Sequence, residues 1–301
     1  MHKPEGIVPA LVTPFNQEEE INEEVLRQLI QSTMKSGCHG LFCLGSNGEF
    51  FSLSFEEKLK VAKIVLDEVQ SKIPVYMGTG SNSTRETIQL NKEMEELGVT
   101  AVSLITPYFV KMSQEELIKY YETVAEQTNL PIILYNIPGL TGNALAPETV
   151  AHISRVPNIV GIKDSSGNFD NILQLIELTD SDFSILAGTD SLILSTLMAG
   201  GNGGIAATAN LLPNVVTSIY NKWKDGDIEG AEYEQRKLRA IRSAFKMGTL
   251  PSVLKEALNE AGINIGAPRL PISPLSEEKK RLVQDIVTKH KEAGDIEDIN
   301  V

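Results

Sequence analysis

A lysine interrupts one of the most apolar stretches of the sequence. Lys163 directly follows Ile159-Val160-Gly161-Ile162, where charge is normally avoided because burying an unpaired ammonium group is costly. Burial can lower the pKa of a lysine from about 10.4 by roughly 3 units, and the neutral amine can then condense with a ketone to a Schiff base. The alternative is a structural lysine paired with Glu49 or Asp164. Position alone does not decide between the two.

A tyrosine stands near the end of the preceding apolar run. The hydroxyl of Tyr135 could face the Lys163 amine and transfer protons at a carbinolamine or an aldol oxygen. A lone strand tyrosine is more often a core residue, but the two residues on adjacent strand ends favour aldol chemistry. The loop from Gly45 to Glu49 adds closely spaced backbone amides and the Ser46 hydroxyl, a plausible binding site for a carboxylate.

The elements that must position these residues are short β-rich runs, each followed by a stretch with helical periodicity. Eight parallel strands covered by helices are expected, because strands that are apolar on both faces must be buried on both. The loop after the first run has no G-x-G-x-x-G pattern, which disfavours a doubly wound sheet and favours an α/β fold of the TIM (β/α)₈ barrel class. The eight runs are residues 6–14, 40–45, 74–80, 100–107, 131–138, 159–165, 183–190 and 203–208.

Local signals predict where the helices begin. Capping boxes are predicted at Ser54/Glu57, Ser83/Glu86 and Ser113/Glu116, and Pro147 and Pro213 suit first helical positions. Beyond Trp223 the strand signal stops and three helical patterns follow, the last beginning at Ser276 and ending at Gly294. We therefore expect a catalytic barrel over residues 1–224 and a C-terminal helical region over 225–301, packed on the barrel.

In such barrels the chemistry lies at the C-terminal ends of the strands. The loops expected there are rich in hydroxyls, amides and glycine, and poor in histidine. The glycine-rich run 200–204 resembles a phosphate cradle, but it precedes the eighth strand and so lies at the opposite end of the barrel. We interpret it as a tight helix-to-strand connection.

Composition excludes several classes of function. The 301 residues include 27 Lys and Arg against 40 Asp and Glu, a net charge of −13, which speaks against binding to nucleic acid or anionic lipid. No apolar stretch approaches the roughly 18 residues of a membrane helix. The first residues lack a secretory signal pattern, so a cytoplasmic location is expected. Cys38 and Cys43 are expected to be reduced, buried thiols.

Metal-dependent and serine-hydrolase chemistry have little support. The four histidines show no metal-ligand spacing, and no G-x-S-x-G elbow occurs. We therefore expect no metal and no cofactor, with the substrate held covalently on Lys163.

The chain resembles the dihydrodipicolinate synthase/N-acetylneuraminate lyase family of Schiff-base lyases. The motifs that carry this resemblance run through the whole chain: residues 45–49 (GSNGE), 135–138 (YNIP), 161–164 (GIKD), 188–190 (GTD) and 271–275 (PISPL). The resemblance implies a barrel with a helical C-terminal part, usually a homotetramer, that attaches pyruvate or a larger 2-oxo acid to the lysine. It implies Lys163 as the Schiff-base residue, Tyr135 as the acid/base, Ser46 and Asn47 in the carboxylate loop with Gly48, and Gly188 and Ile205 lining the pocket.

The sequence departs from the dihydrodipicolinate synthases of that family at several positions. Those enzymes carry an arginine in the loop after the tyrosine for the aldehyde's carboxylate, where this chain has Leu140. Their second tyrosine after Thr-Pro, which enters a partner subunit's site, is replaced by Phe109, and their Thr-Thr pair by Ser46-Asn47. These differences disfavour condensation with aspartate semialdehyde and leave any proton relay to Ser46, Tyr108 or water.

Residues 45–50 and 139–142 look more like the 2-keto-3-deoxy-sugar-acid and 4-hydroxy-2-oxoglutarate aldolases of the family. Thr141 belongs to this second motif, and Asp190 and Ser191 could hydrogen-bond substrate hydroxyls. The main hypothesis is therefore a metal-free aldolase that cleaves such a 2-oxo acid to pyruvate and an aldehyde. Dihydrodipicolinate synthase and N-acetylneuraminate lyase remain alternatives. A barrel that binds oxo acids for regulation, without turnover, is the alternative outside enzymes.

Overall fold

Eight parallel strands form a barrel in the computed structural model, which describes residues 2–296. Neighbouring strands pair in sequence order, β8 returns to β1, and a bridge between Ala10 and Phe42 links β1 to β2. Each predicted apolar run contains one strand, so the predicted TIM barrel is confirmed. The strands are β1 (Gly6–Pro9), β2 (Leu41–Cys43), β3 (Val75–Gly78), β4 (Ala101–Ile105), β5 (Ile132–Asn136), β6 (Ile159–Asp164), β7 (Ser184–Ala187) and β8 (Gly203–Ala206).

Helices alternate with the strands and cover the outside of the barrel. A large apolar core fills the space between the sheet and the helices, while a second, smaller cluster fills the barrel interior. The helices that follow the strands are α1 (Glu23–Lys35), α2 (Phe55–Val69), α3 (Thr84–Leu97), α4 (Gln114–Ala125), α5 (Pro138–Thr141), α6 (Pro147–Ile153), α7 (Phe169–Leu178), α8 (Ile193–Met198) and α9 (Pro213–Lys224).

The helix starts follow the predicted local chemistry, with one exception. Complete capping boxes begin α2 at Ser54 and α4 at Ser113, and proline occupies the first turn of α6 and α9. At α3 the Ser83 hydroxyl accepts the N–H of Glu86, but the Glu86 carboxylate accepts a hydrogen bond from the Ser81 hydroxyl, 2.8 Å away. The predicted reciprocal box at Ser83 is therefore wrong, because the Ser81 hydroxyl binds both the Glu86 carboxylate and the backbone N–H of Ser83.

The glycine-rich run 200–204 is a tight connection from α8 into the first residues of β8, as predicted. Gly203 has a φ of 152°, and a Cβ atom there would lie 2.0 Å from the carbonyl oxygen of Gly6. Asn202 bridges the same region, since its carbonyl accepts from Gly6 N and its side chain accepts from Ile185 N. Only glycine allows β8 to approach β1 this closely.

Four α-helices, and not three helices, occupy the described part of the C-terminal region. They are α10 (Ile228–Lys237), α11 (Arg239–Ala244), α12 (Ser252–Ala261) and α13 (Glu277–Glu292). Leu238 separates α10 from α11, and α13 follows Ser276 as expected. Residues 1 and 297–301, which belong to the two predicted domains, lie outside the described residues. The division at residue 224 remains an interpretation.

Both cysteines are buried and free, as expected. Burial raises the pKa of the Cys38 thiol to about 11 and that of Cys43 to about 12, which keeps both thiols protonated and unreactive near neutral pH.

Among residues 2–296, no helix is long and apolar enough to cross a bilayer, and no cluster of His, Cys, Asp and Glu has the composition of a metal site.

Candidate active site

Lys163 and Tyr135 lie side by side inside the barrel. Lys163 on β6 is paired in register with Tyr135 on β5, so both side chains point to the same face of the sheet. They are only 3% and 4% exposed. The Lys163 Nζ atom lies 4.1 Å from the centre of the Tyr135 ring and 4.5 Å from that of Phe42. The Ser46 hydroxyl lies 3.2 Å from the Tyr135 hydroxyl, which brings the three predicted catalytic residues together.

The two carboxylates offered as structural partners for Lys163 are engaged elsewhere. Glu49 Oε1 lies 2.6 Å from the ammonium of Lys255. Asp164 points toward the helices, where it accepts hydrogen bonds from the side chains of Asn136, Ser166 and Asn171 and from the backbone N–H of Ser166. The amine of Lys163 has no carboxylate within ion-pair distance in the described chain. The alternative of a lysine paired with Glu49 or Asp164 is therefore wrong.

Gly188 gives the lysine side chain its space. A Cβ atom at this position would lie 3.0 Å from Lys163 Cγ, 3.0 Å from the carbonyl oxygen of Asp164 and 2.0 Å from the Ser165 hydroxyl oxygen. Its backbone N–H donates to the Asp164 carbonyl. Because Gly188 has no side chain, it leaves room for the side chain of Lys163, which gives its predicted pocket-lining role a physical basis.

The loop after β2 presents unpaired backbone N–H groups. Those of Ser46, Asn47 and Gly48 donate to no acceptor between residues 2 and 296. The carbonyl of Gly48 accepts a hydrogen bond from Thr13, 2.7 Å away, and the carbonyl of Ser46 accepts one from Glu49 N. Since the carbonyls are held in this way, successive N–H groups remain available to an anion. We call residues 45–49 the carboxylate loop.

The remaining predicted substrate contacts are less directly available. Both carboxylate oxygens of Asp190 accept backbone N–H groups, from Ala207 and Thr208. The Thr141 hydroxyl is bonded to Thr106 and to the carbonyl of Asn143. These contacts argue that Asp190 and Thr141 position loops, and substrate binding by either stays a prediction.

Tyr108, Ser191 and Ile205 differ in their surroundings. The Tyr108 ring packs edge-on against Phe50, 6.1 Å between centres, and burial raises the pKa of its hydroxyl. Ser191 is exposed, and Ile205 is buried in the cluster inside the barrel. A direct role in substrate binding remains a prediction for all three.

The side of the site expected to meet the aldehyde is apolar and exposed. Leu140 is 58% exposed, and Phe109 is 94% exposed with a φ of 77°. Residues 137–146, the segment between β5 and α6, contain neither lysine nor arginine. This segment therefore offers no side-chain cation to a second carboxylate.

Sequence reasoning missed several residues around the carboxylate loop. Asn47 lines a cavity of about 30 Å³ together with Phe245, Thr249 and Leu250 from the C-terminal region, and the buried Lys255 comes from α12. These residues of the C-terminal region are about 200 positions from Asn47 in the sequence, so no local pattern predicts that they lie near it. Phe42, whose ring lies 4.5 Å from the Lys163 Nζ atom, left a weaker signal, since it stands in a predicted strand next to the carboxylate loop.

This arrangement can capture a carbonyl compound that carries a carboxylate. The carboxylate loop offers N–H donors, the lysine offers an amine without an ion-pair partner, and the Ser46–Tyr135 pair can donate or accept protons beside it. Such a set fits a 2-oxo acid, whose carboxylate and ketone are adjacent.

Comparison with known proteins agrees with this chemistry. The sequence profile of the dihydrodipicolinate synthetase family matches residues 3–290. A 4-hydroxy-tetrahydrodipicolinate synthase from Methanopyrus kandleri is 40% identical over 282 residues, covering 93% of this chain and 94% of its own. A second, from Halalkalibacterium halodurans, is 38% identical over 278 residues, covering 92% and 94%.

Solved structures show the same relationship. Dihydrodipicolinate synthase from Thermotoga maritima superimposes with a TM-score of 0.93 at 35% identity, covering 98% of this chain and 100% of its own. YagE, an E. coli K12 prophage protein of the dihydrodipicolinic acid synthase family solved in complex with pyruvate, gives a TM-score of 0.92 at 34% identity, covering 95% and 98%. The chain therefore belongs to the dihydrodipicolinate synthetase family and is a carbon–carbon lyase.

Proposed function

We propose that this protein forms a Schiff base between pyruvate and Lys163 and uses it to make or break a carbon–carbon bond, without a metal. The observation that carries this proposal is the buried Lys163 amine, which has no carboxylate partner among residues 2–296 and lies against the Tyr135 ring. An amine that no carboxylate engages is free to approach the carbonyl carbon of a bound ketone.

Tyr135, whose hydroxyl lies beside that of Ser46, is the candidate for the proton transfers of the reaction. The neutral amine attacks the ketone carbon, and Tyr135, linked to Ser46, protonates the departing hydroxyl so that water leaves and the iminium forms. The Tyr135 phenolate then takes a proton from the methyl group, which gives the enamine. The enamine attacks the aldehyde carbon, and Tyr135 returns the proton to the new alkoxide. Water then hydrolyses the iminium and frees Lys163. Cleavage runs through the same steps in reverse.

The relatives favour aspartate semialdehyde as the aldehyde. The two sequence relatives described above are named 4-hydroxy-tetrahydrodipicolinate synthases, so the comparisons support the alternative of the sequence analysis more than its main hypothesis. We therefore propose 4-hydroxy-tetrahydrodipicolinate synthase activity as the first reaction to test.

A second candidate is supported by the exposed Leu140. With no cation between residues 137 and 146, an aldehyde without a carboxylate fits this side of the site better than aspartate semialdehyde does. Cleavage of a 2-keto-3-deoxy sugar acid yields such an aldehyde. The homotetramer remains a prediction from the family resemblance, and the cytoplasmic location remains a prediction of the sequence analysis.

Borohydride trapping tests the proposed Schiff base. Incubation with pyruvate and borohydride, followed by peptide mass spectrometry, should show a reduced pyruvyl adduct on Lys163, and Lys163→Ala should show none. Lys237→Ala is a matched control, since that lysine pairs with Asp295 and Glu234 in the C-terminal region. A folded wild-type protein that acquires no adduct would contradict the proposal.

The aldehyde is tested by direct comparison. Pyruvate with aspartate semialdehyde is assayed for condensation, and 2-keto-3-deoxygluconate and 4-hydroxy-2-oxoglutarate are assayed for release of pyruvate. The reaction with the highest kcat/KM identifies the substrate class. Thermal stabilisation by oxo acids without any conversion would support the regulatory barrel.

A further inference from the structure

Glu49, at the end of the carboxylate loop, is part of a fully buried charge cluster. Glu49 and Lys255 are both 0% exposed, with 2.6 Å between Oε1 and Nζ. The second carboxylate oxygen accepts the backbone N–H of Arg269 at 2.9 Å. Lys255 also donates to the carbonyl of Ala267, and its ammonium lies 4.1 Å from the centre of the Phe15 ring. The proposed mechanism uses none of these groups.

The backbone of Glu49 closes the turn that exposes the loop's N–H groups. Glu49 has a left-handed φ of 53°, a conformation that is unfavourable for a residue with a side chain. Its N–H donates to the carbonyl of Ser46, and its own carbonyl accepts from the N–H and the hydroxyl of Ser52. The contacts of the Glu49 side chain with Lys255 and with the backbone of Arg269 hold this turn in place. They therefore also determine where the N–H groups of residues 46–48 point.

We propose that Glu49 and Lys255 are positioning residues for oxo-acid binding: their ion pair ties α12 to the carboxylate loop and holds the N–H groups of residues 46–48 in the geometry that binds the carboxylate. This inference rests on the proposed function. It makes the C-terminal region part of the binding site, although no side chain of that region need touch pyruvate.

Stability alone does not account for this pair. Desolvation of buried charges often offsets their mutual attraction, and apolar replacement of both partners is frequently tolerated. Burial lowers the pKa of Lys255 to about 8 in spite of the opposing effect of Glu49, and the nearby Arg269 lowers it further. The charges that face Lys255 are thus Glu49 from the carboxylate loop and Arg269 from the segment after α12. Because this pair is costly to bury and is attached to the carboxylate loop, a role in holding the conformation of that loop explains it better than stability does.

Three variants separate positioning from stability. Lys255→Met and Glu49→Gln each remove one charge, and the double variant removes both with little change in shape. Pyruvate-dependent borohydride trapping and steady-state turnover are measured on each folded protein. Lys237→Met is the matched control, because it removes a lysine paired with two carboxylates in the same region, away from the loop.

We expect the double variant to fold and to raise the KM for pyruvate about tenfold while kcat stays within about threefold, because binding is lost and the reacting groups remain. Lys237→Met should keep the wild-type KM. If Lys255→Met alone unfolds, since it leaves a buried carboxylate without a partner, the double variant carries the test.

A folded double variant with wild-type KM and trapping would overturn the positioning role and leave the Schiff-base proposal intact. A fall in kcat at unchanged KM would also overturn it. A wild-type protein that is not trapped contradicts the proposed function itself, so the two failures are distinguishable.

Discussion

Gly188→Ala should slow Schiff-base formation by crowding the lysine. The added Cβ would lie 3.0 Å from Lys163 Cγ and 2.0 Å from the Ser165 hydroxyl oxygen, whereas carbon atoms in contact prefer about 3.5 to 4.0 Å. The Lys163 side chain must therefore move by roughly 0.5 to 1 Å, and a displacement near 1 Å can cost about a hundredfold in rate. We expect trapping by pyruvate and borohydride to slow by about 10- to 100-fold, and overpacking to lower the free energy of unfolding by about 1 to 3 kcal/mol.

The Ser165 hydroxyl allows the two effects to be separated. In Gly188→Ala/Ser165→Ala the 2.0 Å contact disappears, but the contact with Lys163 Cγ remains. Stability by denaturant melting should largely recover, while the trapping rate should stay low. Gly139→Ala is the control, because a Cβ there meets nothing within 4 Å. Wild-type trapping by folded Gly188→Ala would refute the reasoning that this glycine makes room for the amine.

Three further predictions concern the surroundings of the lysine. Tyr135→Phe keeps the ring over the amine but removes the hydroxyl that carries protons, so kcat should fall by about 10²- to 10⁴-fold. A steady-state kcat within about threefold of wild type would count against the acid/base role. Leu140→Arg should raise kcat/KM for aspartate semialdehyde by about tenfold, because a charge-assisted hydrogen bond to the carboxylate of the aldehyde contributes about 1.5 to 3 kcal/mol. An unchanged kcat/KM would indicate that the aldehyde binds elsewhere. Because the folded-state pKa of Lys255 is lowered from 10.5 to about 8, the unfolded chain holds the proton over a window in which the native chain releases it. Burial of the Lys255 charge therefore destabilises the fold below pH 8, and this effect is relieved as the pH rises toward 10.5. In denaturant melts, the free energy of unfolding of the wild type should rise across that window relative to that of the Lys255→Met/Glu49→Gln variant. A fall would contradict the assignment.

The fold was predictable because its determinants are local. Each strand lies within an apolar run of the sequence, and the Ser54 and Ser113 boxes involve residues three positions apart. The failure at Ser83 is instructive, since the Glu86 carboxylate turned to Ser81, another local donor. Local patterns identify possible partners but do not rank two that are both in reach.

The lysine and its tyrosine could also be found from the sequence, whereas their electrostatic surroundings could not. Lys163 was conspicuous because its run is otherwise apolar, and Glu49 was a reasonable partner for it. That carboxylate instead binds Lys255, some 200 residues further along the chain. A contact of this range is made only when α12 packs on the barrel, and no periodicity or spacing encodes it. Asp190 illustrates the same point, because its carboxylate accepts backbone N–H groups of the following βα loop.

The hydrogen bonds around Asp164 have a consequence for strand registration. Lys163 and Asp164 are neighbours on β6 and point to opposite faces, so a slip of β6 by one residue against β5 and β7 would exchange the amine and the carboxylate. The lysine would then enter the helix layer, and an acid would face the barrel axis without its four donors. The carboxylate on the outer face thereby selects the one alignment in which the amine on the inner face can react.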